Sequence, residues 1–291
     1  MSFQGQTAYV TGGASGIARA VTRMLVVKGI KVCIADINKQ GAEAVAQELN
    51  EEAGSQCVSA VAVDVADWDS QVAGFQTAIK ELGGRIDYVY PIAGIAEVNW
   101  LPNRPKQEGF VKPNLSVWDV DGTGVLYTSA LAIQQFRRQE PNKFGFRGKI
   151  ATVSSVRGLY AVPSMPIYCA AKFGVVGFVR SFGKHLPKEK ITLNAMCPAI
   201  VKTGISIGRS DWYDKAQKLN LIVKMEALLD AFESLLGGSD VSGECFEFPP
   251  GDIGNPSGWI LKPQNEYTTP ESEVHVQYSD SQFAHQHEPV E

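Results

Sequence analysis

The chain has 291 residues, 44% of them hydrophobic and 20% charged, so it can bury a large core and is predicted to be one domain with additions. A net charge of −4 gives no electrostatic reason to expect nucleic acid or an acidic membrane as a partner. The sequence opens with no charged and apolar leader and contains no apolar run of membrane-spanning length. We therefore expect a soluble, cytoplasmic protein.

The cysteines predict neither disulfides nor a metal site. They show no CxxC pair and fall mostly in apolar, strand-like segments; they are Cys33, Cys57, Cys169, Cys197 and Cys245. Buried free thiols are the expected state.

The first motif is a glycine-rich turn between a strand and a helix. Residues 7–10 are predicted to form a short strand, residues 11–18 read TGGASGIA, and a helical pattern continues to Val27. This arrangement brings backbone amides and the positive end of a helix onto a pyrophosphate. The candidate cofactor-binding residues of the turn are Gly12, Ser15, Gly16 and Ile17.

The next predicted strand, residues 31–35, ends in Asp36. A carboxylate at that point can accept hydrogen bonds from both hydroxyls of an adenosine ribose, and it would repel a 2′-phosphate. The sequence therefore favours NAD over NADP.

Strands and helices then alternate at a regular interval. Helices are predicted at 38–53 and at 67–82, the latter with Asp67 as N-cap. Strands are predicted at 58–63 and 86–90. This alternation predicts an α/β fold with a doubly wound parallel sheet and helices on both faces.

Several polar or small residues follow directly on predicted strands, where ligands bind in such sheets. Asp64 and Val65 follow the third strand and are placed to meet an adenine edge, Ala93 and Gly94 follow the fourth, and Ser155 follows a buried strand at 150–154. We expect these residues to gather at one edge of the sheet.

The chemistry is predicted to centre on Tyr168 and Lys172. Their spacing of four places both side chains on one face of a helix, one turn apart. The ammonium favours the phenolate, so that the pair can exchange a proton near neutral pH. Ser155 precedes Tyr168 by thirteen positions and could hold a substrate oxygen while the phenol handles its proton.

These residues resemble the short-chain dehydrogenase/reductase family over roughly the first 250 residues, and most closely its NAD-preferring, hydroxyprostaglandin-dehydrogenase-like members, including fungal ones. The resemblance rests on the turn at 11–18, the strand-end residues named above, the Tyr168 to Lys172 spacing, and four further stretches: 93–94, 113–115, 124–128 and 194–203. It implies a three-layer α/β/α Rossmann fold.

The resemblance also implies roles for individual residues. Tyr168 would be the acid/base, while Lys172 would lower its pKa and grip the nicotinamide ribose. Ser155 would hold the substrate oxygen. The backbone of Val201 and the hydroxyl of Thr203 would bind the nicotinamide end of the cofactor.

Four positions depart from the family pattern. Ala18 and Ala199 stand where glycines are usual, and both are small changes. Ile92 replaces an asparagine that braces neighbouring strands, so we expect repacking there.

Asp121 stands where the fourth catalytic residue, an asparagine, is usual. Near Lys172, its carboxylate would stabilise the ammonium and offset its field on Tyr168. The alternative is that Asp121 points away and serves only to keep the helix kinked.

The remaining segments are predicted more coarsely. Residues 97–112 and 205–221 would form the wall and lid of an active site, and their aromatics suggest an apolar substrate or, equally, contacts with the core. An apolar helix at 223–236 and a strand at 243–248 would contribute to a homodimer or homotetramer, by analogy with the family.

Residues 1–250 are interpreted as the catalytic domain and 251–291 as a polar C-terminal extension that is mobile or drapes over a subunit.

Two function classes follow. The first is an oxidoreductase that transfers a hydride between NAD(H) and a secondary alcohol or ketone of an apolar small molecule, in secondary metabolism. The second is a non-redox isomerase, dehydratase or cyclase on the same fold, suggested by Ile92 and Asp121. A cofactor-binding protein without catalysis is the least favoured, because Ser155, Tyr168 and Lys172 are all present.

Overall fold

A computed structural model describes residues 2–106, 108–203, 210–250 and 258–287, and of 210–212 and 283–285 it describes the backbone only. In these ranges the strands are β1 Thr7–Thr11, β2 Lys31–Asp36, β3 Val58–Ala62, β4 Tyr88–Pro91, β5 Gly148–Val153, β6 Ile191–Pro198, β7 Ile200–Val201, β8 Ile222–Val223, β9 Cys245–Phe248 and β10 Ile260–Leu261. The α-helices are α1 Gly16–Val27, α2 Lys39–Ala53, α3 Trp68–Glu81, α4 Ser116–Trp118, α5 Gly124–Arg137, α6 Pro166–His185, α7 Ser210–Lys218, α8 Met225–Ser234 and α9 Pro270–Phe283.

The main sheet is a doubly wound parallel sheet, as predicted. Its strands, counted within the described ranges, follow the order β10-β9-β6-β5-β4-β1-β2-β3. All neighbours are parallel except β10, which pairs antiparallel with β9. A separate two-stranded parallel pair joins β7 to β8.

Helices cover both faces because the strand residues alternate between two cores. Tyr9 of β1 faces the core formed with α3, α5 and α6, while its neighbours Ala8 and Val10 face the core formed with α1 and α8. Tyr9 is completely buried. The strands therefore read as apolar on both faces, which is typical of a parallel sheet between two helical layers.

The start of α3 agrees with the predicted cap, and α2 has a cap of the same kind. The Asn38 side chain accepts a hydrogen bond from the Gly41 amide at the start of α2, and the Asp67 side chain accepts one from the Ser70 amide at the start of α3. Such caps satisfy amides that have no partner within the helix. The prediction for α8 is wrong at its start: the helix begins at Met225, because residues 222–223 pair with β7 instead.

Part of the C-terminal extension packs on the domain. Ile260 and Leu261 add an edge strand to the sheet, and the Trp259 ring lies 4.9 Å from that of Phe246. The Arg180 guanidinium donates to the carbonyls of Lys262 and Pro263. The division at residue 250 stays a prediction, since 251–257 lie outside the described residues.

No helix in the described part of the chain is both long and apolar enough to cross a membrane. The described residues likewise contain no group of three or more His, Cys, Asp or Glu placed to hold a metal ion. His275 and His287 of the extension fall within this search, and the side chain of His285 lies outside the described residues.

Candidate active site

The glycine-rich turn forms a cradle of backbone at the carboxyl end of β1. Gly12 has φ +78°, and a Cβ there would lie 2.8 Å from the Cα of Ala93, so only glycine fits. Gly16, with φ +56°, is the first residue of α1. The Ser15 side chain makes no capping bond with that helix. The first amides of α1 are therefore available to an anion such as a diphosphate.

Asp36 lies at the end of β2, beside this cradle. One carboxylate oxygen accepts from the Ala14 amide at 3.0 Å and the other from the Asn38 amide at 2.8 Å. Each oxygen can accept a further hydrogen bond. The carboxylate is thus fixed in orientation and could still receive the two hydroxyls of a ribose.

All the predicted cofactor-binding residues line one cleft of about 520 Å³. Its lining includes the strand-end residues of β2, β3, β4 and β6 and the turn before α1. The predicted members are Gly12, Ser15, Gly16, Ile17, Asp36, Asp64, Val65, Ala93, Gly94, Tyr168, Lys172, Val201 and Thr203. Ser155 and Asp121 line the same cleft. The structure therefore brings every predicted site residue together, although their roles remain predictions.

Tyr168 and Lys172 occupy successive turns of α6. The Lys172 ammonium lies 5.4 Å from the centre of the Tyr168 ring and donates to the Val153 carbonyl at 3.2 Å. Lys172 is almost completely buried, whereas Tyr168 is half-buried. A hydroxyl at the wall of the cleft is thus backed by a cation that water barely reaches.

Ser155 lies two residues beyond the end of β5. Its hydroxyl accepts from the Arg157 amide at 3.1 Å and donates to the Pro198 carbonyl at 3.4 Å, a long bond that a better acceptor could replace. Ser155 and Tyr168 also line a second cavity of about 980 Å³. The two cavities therefore meet at these hydroxyls.

Asp121 points into the cleft and not away from it. It lies in a π-helical turn, Asp119–Thr123, which separates α4 from α5. Its Oδ2 is 2.9 Å from the Lys172 ammonium, and its Oδ1 accepts from the Ile95 amide at 2.8 Å. The first of the two alternatives for Asp121 therefore has the geometry it requires.

The charge on Lys172 reflects two opposing influences. Burial alone would lower the pKa of Lys172, but the Asp121 carboxylate, together with Tyr168, raises that pKa above its ordinary value. The side chain therefore remains an ammonium at neutral pH.

The strands around Ile92 are braced by other side chains. The Thr11 hydroxyl accepts from the Ile92 and Ala93 amides at 3.0 and 3.2 Å, joining β1 to the end of β4. The Thr152 hydroxyl donates to the Pro91 carbonyl at 2.6 Å, joining β5 to β4. Ile92 itself packs in the core that α1 and α8 cover. Two threonines thus supply hydrogen bonds that an isoleucine side chain cannot make.

The structure adds residues that the sequence analysis did not assign. The Tyr213 hydroxyl lies within 3.2 Å of the Thr203 amide and the Val201 carbonyl, and so fixes the segment beside the cleft. Glu97 accepts from the Tyr168 amide at 2.7 Å, while its Oε1 is buried without a hydrogen-bond partner among the described residues. No sequence pattern identifies either contact, because each joins segments that are distant in the chain or depends on loop conformation.

The wall of the second cavity contains both apolar and acidic side chains. Apolar side chains include Trp100, Leu101, Met165 and Leu221, and acidic ones are Glu97 and Glu247. Glu247 is buried, accepts from the Tyr160 hydroxyl at 3.1 Å and lies 3.7 Å from the Lys262 ammonium. Phe110 of the 97–112 loop is instead fully exposed and does not line this cavity. In the other predicted wall segment, the Trp212 side chain and residues 205–209 lie outside the described part of the chain.

The chain is similar in sequence to known dehydrogenases and reductases. A model of the short chain dehydrogenase family matches residues 6–214. The short-chain dehydrogenase/reductase prx7 of Penicillium rubens is 33% identical over 184 residues, which are 61% of this chain and 62% of that relative. The 15-hydroxyprostaglandin dehydrogenase (NAD(+)) of Rattus norvegicus is 30% identical over 239 residues, 79% of this chain and 83% of the relative.

A solved structure of 3-ketoacyl-(acyl-carrier-protein) reductase from Brucella melitensis, complexed with NADH, covers 85% of this chain and 98% of its own at a TM-score of 0.71. Its 24% identity supports the fold alone. The family model covers most of the chain, including the turn at 11–18 and the Tyr168 to Lys172 pair. The chain therefore belongs to the short-chain dehydrogenase/reductase family of nicotinamide-dependent oxidoreductases.

Proposed function

We propose that this enzyme transfers a hydride between NAD(H) and a secondary alcohol or ketone carried by an apolar small molecule, in secondary metabolism. The observation that carries the proposal is the meeting of the two cavities at Ser155 and Tyr168. One cavity is lined by the residues predicted to bind a dinucleotide, and the other is large and partly apolar. A reacting carbon at their junction would lie beside both hydroxyls.

Three residues of the chain have separate roles in this reaction. The Ser155 hydroxyl holds the substrate oxygen, and Tyr168 takes the hydroxyl proton during oxidation or returns it during reduction. Lys172 keeps its positive charge beside the phenol and is available to the nicotinamide ribose. When bound, the nicotinamide supplies the hydride chemistry.

The non-redox alternative loses one of its two grounds, and the other is weakened. Thr11 and Thr152 supply the bracing that Ile92 cannot, so the sheet edge is intact. Asp121 pairs with Lys172 without removing it from Tyr168. We therefore favour the redox reaction.

The test is to measure NADH consumption by absorbance with a panel of apolar ketones. Tyr168→Phe should lower kcat by about 100-fold or more, the usual contribution of an acid/base group. Tyr127→Phe is the matched control, because that ring packs on Trp68 and does not line the cleft. Full activity in Tyr168→Phe would defeat the assignment.

We further propose NAD rather than NADP as the cofactor, on the basis of Asp36. Its carboxylate lines the adenosine end of the cleft and would repel a 2′-phosphate. NADP⁺ should bind at least about tenfold more weakly than NAD⁺, and Asp36→Ala should remove most of that difference. Calorimetry with both cofactors measures this, with Asp69→Asn, an exposed carboxylate on α3, as control. Equal affinities in the unaltered protein would contradict the proposal.

A homodimer or homotetramer in the cytoplasm remains our expectation. The apolar residues of α8 that we expected at a subunit interface, Leu228 and Phe232, are already buried within the chain. The exposed apolar side chains on and beside α4, α5 and α6 are better suited to a second subunit, and they are Leu115, Trp118, Leu126 and Phe173. Light scattering after gel filtration tests the assembly.

A further inference from the structure

Asp121 places a second fixed charge at the inner end of the cleft. The side chain is completely buried and lines the cleft together with Gly94 and Lys172. A Cβ on Gly94 would lie 3.0 Å from its Oδ2, so the carboxylate lies directly behind the strand end. Its Oδ1 accepts a hydrogen bond from the Ile95 amide, and its Oδ2 forms an ion pair with the Lys172 ammonium. Both contacts are ones that complement a carboxylate.

The charge of this part of the cleft therefore differs from that of a site with an uncharged residue at 121. Lys172 alone would leave one positive charge beside Tyr168, whereas Lys172 and Asp121 together sum to zero. The other acidic residues of the cleft, Asp36 and Asp64, follow β2 and β3 at the opposite side of the sheet. Among the described lining residues, Asp121 is thus the carboxylate that shares the inner end with Lys172.

The two redox forms of a nicotinamide cofactor differ there in charge. The oxidised ring is a cation and the reduced ring is neutral, while the adenosine, the diphosphate and both riboses are the same. A fixed charge near the ring therefore changes the affinity for one form more than for the other. Burial leaves the field of Asp121 poorly screened by salt.

We propose that Asp121 makes this cleft favour the oxidised cofactor over the reduced one, and so promotes loading of the enzyme with NAD⁺ and release of NADH. The inference rests on the proposed function, since it requires a nicotinamide cofactor in this cleft. It concerns cofactor binding: a fixed negative charge holds the cationic oxidised ring more tightly than the neutral reduced ring. The equilibrium in free solution is unchanged.

The test is binding, without substrate or turnover. Asp121→Asn keeps an oxygen that can accept from the Ile95 amide and removes only the charge. We expect the ratio of Kd for NAD⁺ to Kd for NADH, measured by calorimetry, to rise about five- to tenfold in this variant, as expected for one unit charge acting through protein. A ratio unchanged within twofold would overturn the proposal.

ADP-ribose is the matched control, because it has both riboses and the diphosphate but no nicotinamide. Loss of the carboxylate could also free Lys172 and alter its grip on the ribose. That effect would change the affinity for ADP-ribose, NAD⁺ and NADH together and leave the ratio constant. A rise in the ratio therefore reports the ring charge and supports the proposal.

The unaltered protein gives a second, independent measurement. Its Kd for NAD⁺ should be no larger than its Kd for NADH, and a tenfold preference for NADH would contradict the inference even if Asp121→Asn does not fold. Such a preference would leave the proposed function standing. Failure of the unaltered protein to bind either form would remove the proposed function and this inference together.

Discussion

Two buried lysines in the described part of this chain differ in whether a carboxylate forms an ion pair with them: Lys172 has one beside it, and Lys149 does not. Asp121 and Lys172 form a pair, so that each offsets the desolvation of the other. Lys149 of β5 has no carboxylate within ion-pair distance among the described residues. It is buried, donates to the Ser239 carbonyl and lies over the Phe146 ring, 3.7 Å from its centre. We infer that Lys149 lowers the stability of the fold.

The pH dependence of that cost has a definite sign. Burial, opposed in part by Asp240, lowers the pKa of Lys149 to about 8 in the folded protein. In the unfolded chain the pKa is about 10.4, so between these values the unfolded chain binds more protons and the contribution to stability rises with pH. Below the folded pKa the penalty is constant.

Lys149→Met should therefore stabilise the protein at pH 7 by about 1–2 kcal/mol, after allowing for the lost bond to Ser239. Urea denaturation at several pH values measures the difference. The advantage should shrink as pH rises through 8 toward 10, and Lys143→Met, at an exposed position, should show no such trend. A difference that does not vary with pH would show that the charge of Lys149 is not the cause.

At the scale of elements, helix α6, which carries Tyr168 and Lys172, is anchored at its first turn by the loop after β4. Met165 precedes the helix and makes no side-chain cap, and Pro166 has no amide hydrogen to donate. The Tyr168 amide instead donates to Glu97. A carboxylate at this position also interacts favourably with the helix dipole. Glu97 is thus a positioning residue that fixes where α6 begins, and with it the Tyr168 ring.

Glu97→Ala should lower kcat about tenfold and the free energy of unfolding by about 1 kcal/mol, the usual effect of losing a cap. Glu97→Gln retains an acceptor and should recover most of kcat, which a nonspecific structural defect would not allow. Glu108→Ala, an exposed position in the same loop, is the control. If Gln and Ala were equally impaired, the charge of Glu97 and not its hydrogen bond would be responsible.

The sequence could predict the elements because their signals are local. Asn38 and Asp67 cap the helices that follow them, and apolar strands lead into Asp36 and Asp64. It missed the contact of Glu97 with α6, which joins residues 71 positions apart. It also placed the start of α8 too early, because the pairing of β8 with β7 is a tertiary contact. Contacts between distant segments leave no periodic pattern in the sequence from which they could be predicted.

At the scale of the whole molecule, parallel topology explains why the predicted site residues lie together. Every strand from β1 to β6 ends at the same edge, so residues spread from Gly12 to Thr203 line one cleft. The second cavity was less predictable, because its wall combines loops with β9 and, through Lys262, the C-terminal segment. Lys262 donates to the Tyr160 hydroxyl at 2.8 Å, and no motif relates these two residues. Under the proposed function, substrate recognition would therefore depend on the parts of the sequence that are least regular.

The most direct test of the central claim is the transfer of deuterium from NADH labelled with two deuteriums at C4 of the nicotinamide. With an apolar ketone that the enzyme accepts, mass spectrometry should find one deuterium on the carbinol carbon of the alcohol, with one NADH oxidised per alcohol formed. Conversion of the ketone to another product without deuterium, and with NADH unchanged, would contradict the account.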